Sequence, residues 1–247
     1  MAATVRRPGT MRDRIRRRVL TAALSPIDNR ESIRRAATIG AGQPTANQGN
    51  GPYYVPGSPL RRDIREDRDG SPLLLRIRTV ETSTLTPVAG ATVEVWHCDA
   101  EGVYSGYQRY GADRFPALVS LALRRFRPAD AAMFLRGQQL TDAGGHTEFL
   151  TIAPGWYTPR TLHIHVRVSL DGRPLLGTEL YFSDEFAAQI QALPPYAGRG
   201  RGPYDNAHDI EIRLAQGSPG SWPVVRPAGA GHQADVTLQI RRPGSAS

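Results

Sequence analysis

The segment Leu162–Leu170 reads Leu-His-Ile-His-Val-Arg-Val-Ser-Leu, with apolar and polar residues in strict alternation. Successive side chains of a strand point to opposite faces. One face therefore carries Ile164, Val166 and Val168, and the other carries His163, His165, Arg167 and Ser169. A period of two excludes an amphipathic helix and demands a second layer over the apolar face. Further short runs predict strands at Pro72–Val80, Thr92–His97, Thr147–Ile152, Thr178–Phe182 and Asp235–Ile240. Asp142-Ala143-Gly144-Gly145 and Asp171-Gly172 supply turn chemistry between them, the latter suited to a two-residue hairpin. With 25 glycines and 20 prolines the chain favours turns over long helices. The fold class is thus all-β, an antiparallel β-sandwich.

At 247 residues such a sandwich is commonly one domain with extensions. Residues 1–47 read as a basic, largely disordered N-terminal arm, with one short helix near Glu31–Ala37, and residues 48–247 as the sandwich domain. Residues 106–136 form an insertion, in which Pro116–Phe126 has the pattern of a short amphipathic helix. The net charge of +8 belongs to the arm. Residues 1–35 hold ten arginines against Asp13, Asp28 and Glu31, a net +7, which leaves +1 for the rest of the chain. A basic leader of this kind is read as solvated, so no nucleic-acid partner is expected.

No apolar run approaches the roughly 18 residues that a membrane-spanning helix requires. Arg16-Arg17-Arg18-Val19-Leu20 resembles the start of a twin-arginine export signal, but the apolar stretch Val19–Leu24 is short for one. A cytoplasmic location and export through an atypical signal both remain open, as does a homodimer. Cys98 stands alone, which excludes a disulfide framework and a thiolate metal cluster.

Two segments carry the chemistry. The first is Trp96-His97-Cys98-Asp99-Ala100-Glu101-Gly102-Val103-Tyr104. The second runs Pro154-Gly155-Trp156-Tyr157-Thr158-Pro159-Arg160-Thr161-Leu162-His163-Ile164-His165. His163 and His165, at i and i+2, aim the same way and can share one ion. Phenolate is a hard anionic donor, and imidazole suits iron, copper and zinc alike; together they favour a hard, highly charged ion such as ferric iron. Taken singly, each residue has a plainer reading: a strand histidine, a half-buried tyrosine or a surface arginine. Tyr107 and Tyr110 compete with Tyr104 on the same loop. His97 reads as a packing or hydrogen-bonding residue, His146 as exposed, and His208 and His232 as loop residues. Asp205 and Asp209 lack the complete ligand set of a calcium site.

In these segments the chain resembles the intradiol ring-cleavage dioxygenases, non-haem ferric enzymes that open catechols between their two hydroxyls. The likeness extends to Gly51-Pro52-Tyr53-Tyr54, Phe134-Leu135-Arg136-Gly137 and Thr141-Asp142, and covers roughly residues 48–215. It implies one mononuclear Fe(3+) per chain on Tyr104, Tyr157, His163 and His165, with Tyr157 the axial tyrosinate that leaves on substrate binding. It also implies Arg160 as the guanidinium beside the bound ring. The expected partners are a small aromatic diol and O2, and the expected product is a cis,cis-muconate-type diacid. Two positions depart from the family pattern: Gly49-Asn50 replace an acidic residue, and Glu179, a substrate-binding position, replaces the usual glutamine. A carboxylate there would repel a ring dianion unless it were protonated or paired with Arg160. The alternatives are a non-catalytic sandwich module that binds aromatics, and a zinc or ferrous enzyme on the same site. Against a ferrous site, no two-histidine, one-carboxylate pattern is visible in the motif.

Overall fold

A computed structural model describes residues 43–108, 128–199, 205–214 and 221–242. The arm helix near Glu31–Ala37, the twin-arginine-like segment, Tyr110 and the Pro116–Phe126 helix lie outside the described residues. Eight strands form two four-stranded sheets. The first has the order β4 (His146–Ile152), β1 (Pro72–Glu81), β8 (Gly231–Ile240), β7 (Val224–Ala228). The second has the order β3 (Arg136–Leu140), β2 (Thr92–Trp96), β5 (His163–Leu170), β6 (Arg173–Tyr181). All pairings are antiparallel except β1 with β8. Those two strands come from opposite ends of the domain, so no tight turn dictates their relative direction.

The alternation in β5 places Ile164, Val166 and Val168 in the core, opposite Leu73, Leu75 and Ile77 of β1 and Ala234, Val236 and Leu238 of β8. Each large aliphatic side chain buried there contributes about 1.5–3 kcal/mol. The β5–β6 hairpin turns through Asp171 (φ 51°) and Gly172 (φ 73°), the paired left-handed conformations of a type I′ turn. Helix α1 (Asp184–Gln191) is capped by Ser183, whose hydroxyl accepts from the Phe186 amide, and buries Phe186, Ala187 and Ile190. A short helix α2 spans Ile210–Leu214.

The segment before β1 is tied to both sheets. The Thr45 amide donates to the Gln239 carbonyl at 2.9 Å. Gln48 runs along the β6 edge, bonding through its amide to the Gly177 carbonyl (2.6 Å) and through its side chain to the Glu179 amide (3.1 Å) and the Tyr181 hydroxyl (3.0 Å). This pairing occupies an edge that would otherwise present unpaired backbone. The same segment continues past His165, where a Cβ on Gly51 would stand 2.9 Å from Cε1.

Candidate metal centre

Register sets the first half of the site. In the β5–β6 ladder His165 faces Glu179 and His163 faces Tyr181, while on the other side His165 faces Trp96 of β2. Directly opposed residues share a face, so Trp96, His165 and Glu179 form one row across the sheet. The Trp96 indole stacks on the His165 ring at 5.1 Å with 2° between planes.

The second half is built by two loops fastened to each other. Asp99 folds the chain after β2: its carboxylate accepts from the amides of Glu101 (3.0 Å) and Val103 (2.9 Å), and Gly102 turns with φ 82°. That turn delivers Tyr104. The Gly155 amide donates to the Asp99 carbonyl at 3.1 Å, and a Cβ on Gly155 would stand 2.8 Å from the Ala100 carbonyl oxygen. Glycine is therefore required where the two chemical segments touch. Reciprocal backbone bonds between Tyr157 and Arg160 then close a tight turn that presents both side chains.

The four groups meet. The Tyr104 hydroxyl lies 3.2 Å from His163 Nε2 and 3.1 Å from His165 Nε2, and the Tyr157 hydroxyl lies 3.3 Å from His163 Nε2. Tyr104 is 2% exposed, Tyr157 5%, and both histidines 0%. The Tyr53 ring lies flat on Tyr104 at 4.2 Å and 7°. Tyr107, the competing phenol, instead packs edge-on against Tyr53 at 5.2 Å.

His163 Nδ1 donates to the Thr161 carbonyl at 2.7 Å, which leaves the lone pair on Nε2 directed at the two phenols. Burial, helped by the charge of Arg160, pushes the His163 pKa well below its usual value. Burial likewise brings His165 down to about 4. Both rings are neutral and able to donate to a metal. Burial also raises both tyrosines well above 10; Tyr157 adds to the rise at Tyr104, whereas the charge of Arg160 works to lower Tyr157. These phenols ionise only beside a strong cation, so the donor set fits a highly charged ion.

Arg160 is 5% exposed and holds two carboxylates. Its Nε donates to Asp209 at 3.0 and 3.2 Å. Its terminal nitrogens donate to both oxygens of Glu179 and, at 3.3 Å, to the Tyr181 hydroxyl. Burial opposes the charge of Arg160, but Glu179, Tyr157 and Asp209 hold its pKa well above the ordinary guanidinium value. Burial works to raise Glu179, yet the charge of Arg160 and its hydrogen bonds outweigh it and the net shift is downward. Glu179 is thus ionised and paired with Arg160, the second of the two conditions set by its chemistry.

The carboxylate absent from the linear motif is supplied from β6. Donor atoms of His163, His165 and Glu179 lie within 4.8 Å of one another. Asp209 and Tyr181 went unread in the sequence as members of this site. Asp209 is fully buried and accepts from the Thr161 amide (2.8 Å) as well as from Arg160. His97 is hydrogen-bonded, through Nδ1 to the Cys98 carbonyl (2.8 Å) and through Nε2 to the Thr151 hydroxyl (2.7 Å). His146 and His208 are exposed, whereas His232 lies buried in β8 rather than in a loop.

A family profile described as "Dioxygenase" matches residues 49–192. A solved intradiol ring-cleavage dioxygenase from Tetranychus urticae is 30% identical, covers 80% of this chain and 93% of its own, and superposes with a TM-score of 0.70. Among curated proteins, catechol 1,2-dioxygenase 1 of Acinetobacter lwoffii is 28% identical over 216 residues, which is 73% of this chain and 63% of that protein. A chlorocatechol 1,2-dioxygenase of Rhodococcus opacus is 30% identical over 165 residues, 61% of either chain. The chain spans less than two thirds of the length of these curated relatives. Among the described residues no helix is long and apolar enough to cross a membrane.

Proposed function

From membership of the intradiol ring-cleavage dioxygenase family, to which this chain belongs, we propose that it binds one ferric ion on Tyr104, Tyr157, His163 and His165 and opens a catechol-type ring between its hydroxyls with O2. The supporting observation is the convergence of two phenol oxygens and two imidazole Nε2 atoms within 3.1–3.3 Å in a buried site. Names of the relatives point to catechols and chlorocatechols as the substrate class.

When bound, ferric iron supplies Lewis acidity and a template for the diol and O2. The remaining work falls to the chain. Tyr157 touches one imidazole where Tyr104 touches two, so it would be the less constrained phenol and the one able to take a substrate proton. Tyr104, pinned under Tyr53, stays in place. The ion pairs of Arg160 with Glu179 and Asp209 fix the orientation of its guanidinium, which would flank the bound ring without reorganising.

The approach of Glu179 to both histidines supports a second reading, a divalent ion on His163, His165 and Glu179. The pairing of Glu179 with Arg160 weighs against it, because the guanidinium already compensates the carboxylate charge. The visible spectrum of the purified protein, before and after anaerobic addition of catechol, separates the two. A broad band that shifts on addition is the expected result, since tyrosinate-to-ferric charge transfer absorbs in the visible. A protein that stays colourless after ferric reconstitution overturns the ferric reading.

A further inference from the structure

We infer that Glu179 is a positioning residue for His165, accepting a hydrogen bond from its Nδ1–H and holding a negative charge behind the metal rather than meeting the substrate. This rests on the ferric reading above.

The two histidines are unequally supported. His163 Nδ1 is satisfied by a neutral backbone carbonyl at 2.7 Å. His165 Nδ1 is buried and makes no hydrogen bond, yet it stands 3.3 Å from Glu179 Oε1, close but poorly aligned. A metal on Nε2 obliges Nδ1 to carry the proton. A buried donor left without an acceptor costs about 1–3 kcal/mol, and a small rotation of either side chain converts this approach into a bond. Cross-strand pairing of His165 with Glu179 and the Trp96 stack on the opposite flank confine the ring to that motion. A carboxylate behind a metal-bound imidazole raises the basicity of the ligand and fixes its tautomer.

Glu179 is itself immobilised. Oε2 accepts from Arg160 and from the Tyr181 hydroxyl, while Oε1 takes an Arg160 hydrogen bond of 3.3 Å and faces His165. Arg160 is shared with Asp209, so two carboxylates face one guanidinium and the cluster keeps one net negative charge. That charge sits on the His165 side of the site, where it favours the more highly charged oxidation state of a bound ion.

The test compares iron-loaded wild type with Glu179→Gln, which keeps the shape and removes the charge. Three properties are read: ferric affinity by competition with a chelator, the position of the visible charge-transfer band, and the midpoint potential. The variant is expected to bind ferric iron about 10–100-fold more weakly, with a displaced band and a higher potential. A variant matching wild type in all three overturns the inference while leaving the ferric reading intact. A wild-type protein that takes up no ferric iron fails that reading and this inference with it. A measurement on wild type alone covers a variant that does not fold. In the protein loaded with diamagnetic Ga(3+), proton NMR is expected to show a protected His165 Nδ1–H resonance further downfield than that of His163. Absence of that resonance, or its coincidence with a carbonyl-bonded one, overturns the assignment.

Discussion

Arg160 and Asp209 meet side-on, Nε to carboxylate at 3.0 Å, across 49 positions of sequence and with the Asp209 side chain fully buried. The same carboxylate takes the Thr161 amide at 2.8 Å, so one residue fixes both the guanidinium and the backbone leading into His163. The Arg160 guanidinium is therefore held by its Nε edge.

Arg160→Ala is expected to uncover two buried carboxylates at once. Removing one partner of a buried ion pair costs about 3–5 kcal/mol, so the denaturation midpoint should fall by a corresponding amount. Adding Asp209→Asn should restore part of the loss, because one uncompensated charge disappears. Iron should be retained, and ring opening should slow by roughly 10²–10³. Stopped-flow turnover at unchanged iron content checks the rate, and a full rate in the variant would remove Arg160 from the chemistry.

Tyr104 touches both imidazoles and Tyr157 only one. Tyr104→Phe should therefore lower ferric affinity more than Tyr157→Phe does, with a loss beyond about tenfold, since a ligand outweighs its outer partners. Iron content after dialysis against a chelator ranks the two. The reverse order would move the principal phenolate to Tyr157.

Gly51 has φ 66°, and a Cβ there would stand 2.9 Å from His165 Cε1. Gly57 has φ 82° with nothing within 4 Å of its Cβ position. Alanine at either site costs about 1–2 kcal/mol for the left-handed backbone, but only Gly51→Ala should also displace His165 and weaken iron binding. Paired melting curves and iron titrations separate backbone cost from contact. Equal iron affinity in the two variants would show that the ring yields freely.

Burial brings the His97 pKa down to about 4 from 6.5, offset in part by its bond to the Cys98 carbonyl. The folded state thus binds fewer protons than the unfolded chain across that interval. The stability contributed by neutral His97 is present above pH 6.5 and is lost as pH falls through 4, up to roughly 3 kcal/mol. His97→Gln should flatten this part of the profile in urea denaturation at pH 7 and pH 4. An unchanged slope would assign the acid sensitivity to other groups.

The alternation of β5 and the Asp171-Gly172 turn were legible because each depends on local period or on a short motif, whereas the grouping of Tyr104 and Tyr157 with His163 and His165 was implied only by the family resemblance. What escaped had no local signature. Strand β3, Arg136–Leu140, has no apolar side chain before Leu140 and so shows no alternation. Arg136 nonetheless buries its guanidinium on the Ser105 hydroxyl (2.7 Å) and carbonyl (3.0 Å). Strand β7 contains Pro227, which lowers strand propensity everywhere but at a sheet edge, where β7 lies. Asp209 looks like any loop aspartate until the fold brings Arg160 to it.

Because only Asp171 and Gly172 join β5 to β6, His163, His165, Glu179 and Tyr181 all ride on a single hairpin. Hairpins zip within microseconds, ahead of long loop closures. Both imidazoles and the carboxylate are thus neighbours early in folding, whereas Tyr104, 59 positions from His163, joins only when the distant β2 strand docks. The two imidazoles and the Tyr157 phenol are thus gathered by local sequence, whereas the Tyr104 phenol depends on the long-range β2–β5 pairing.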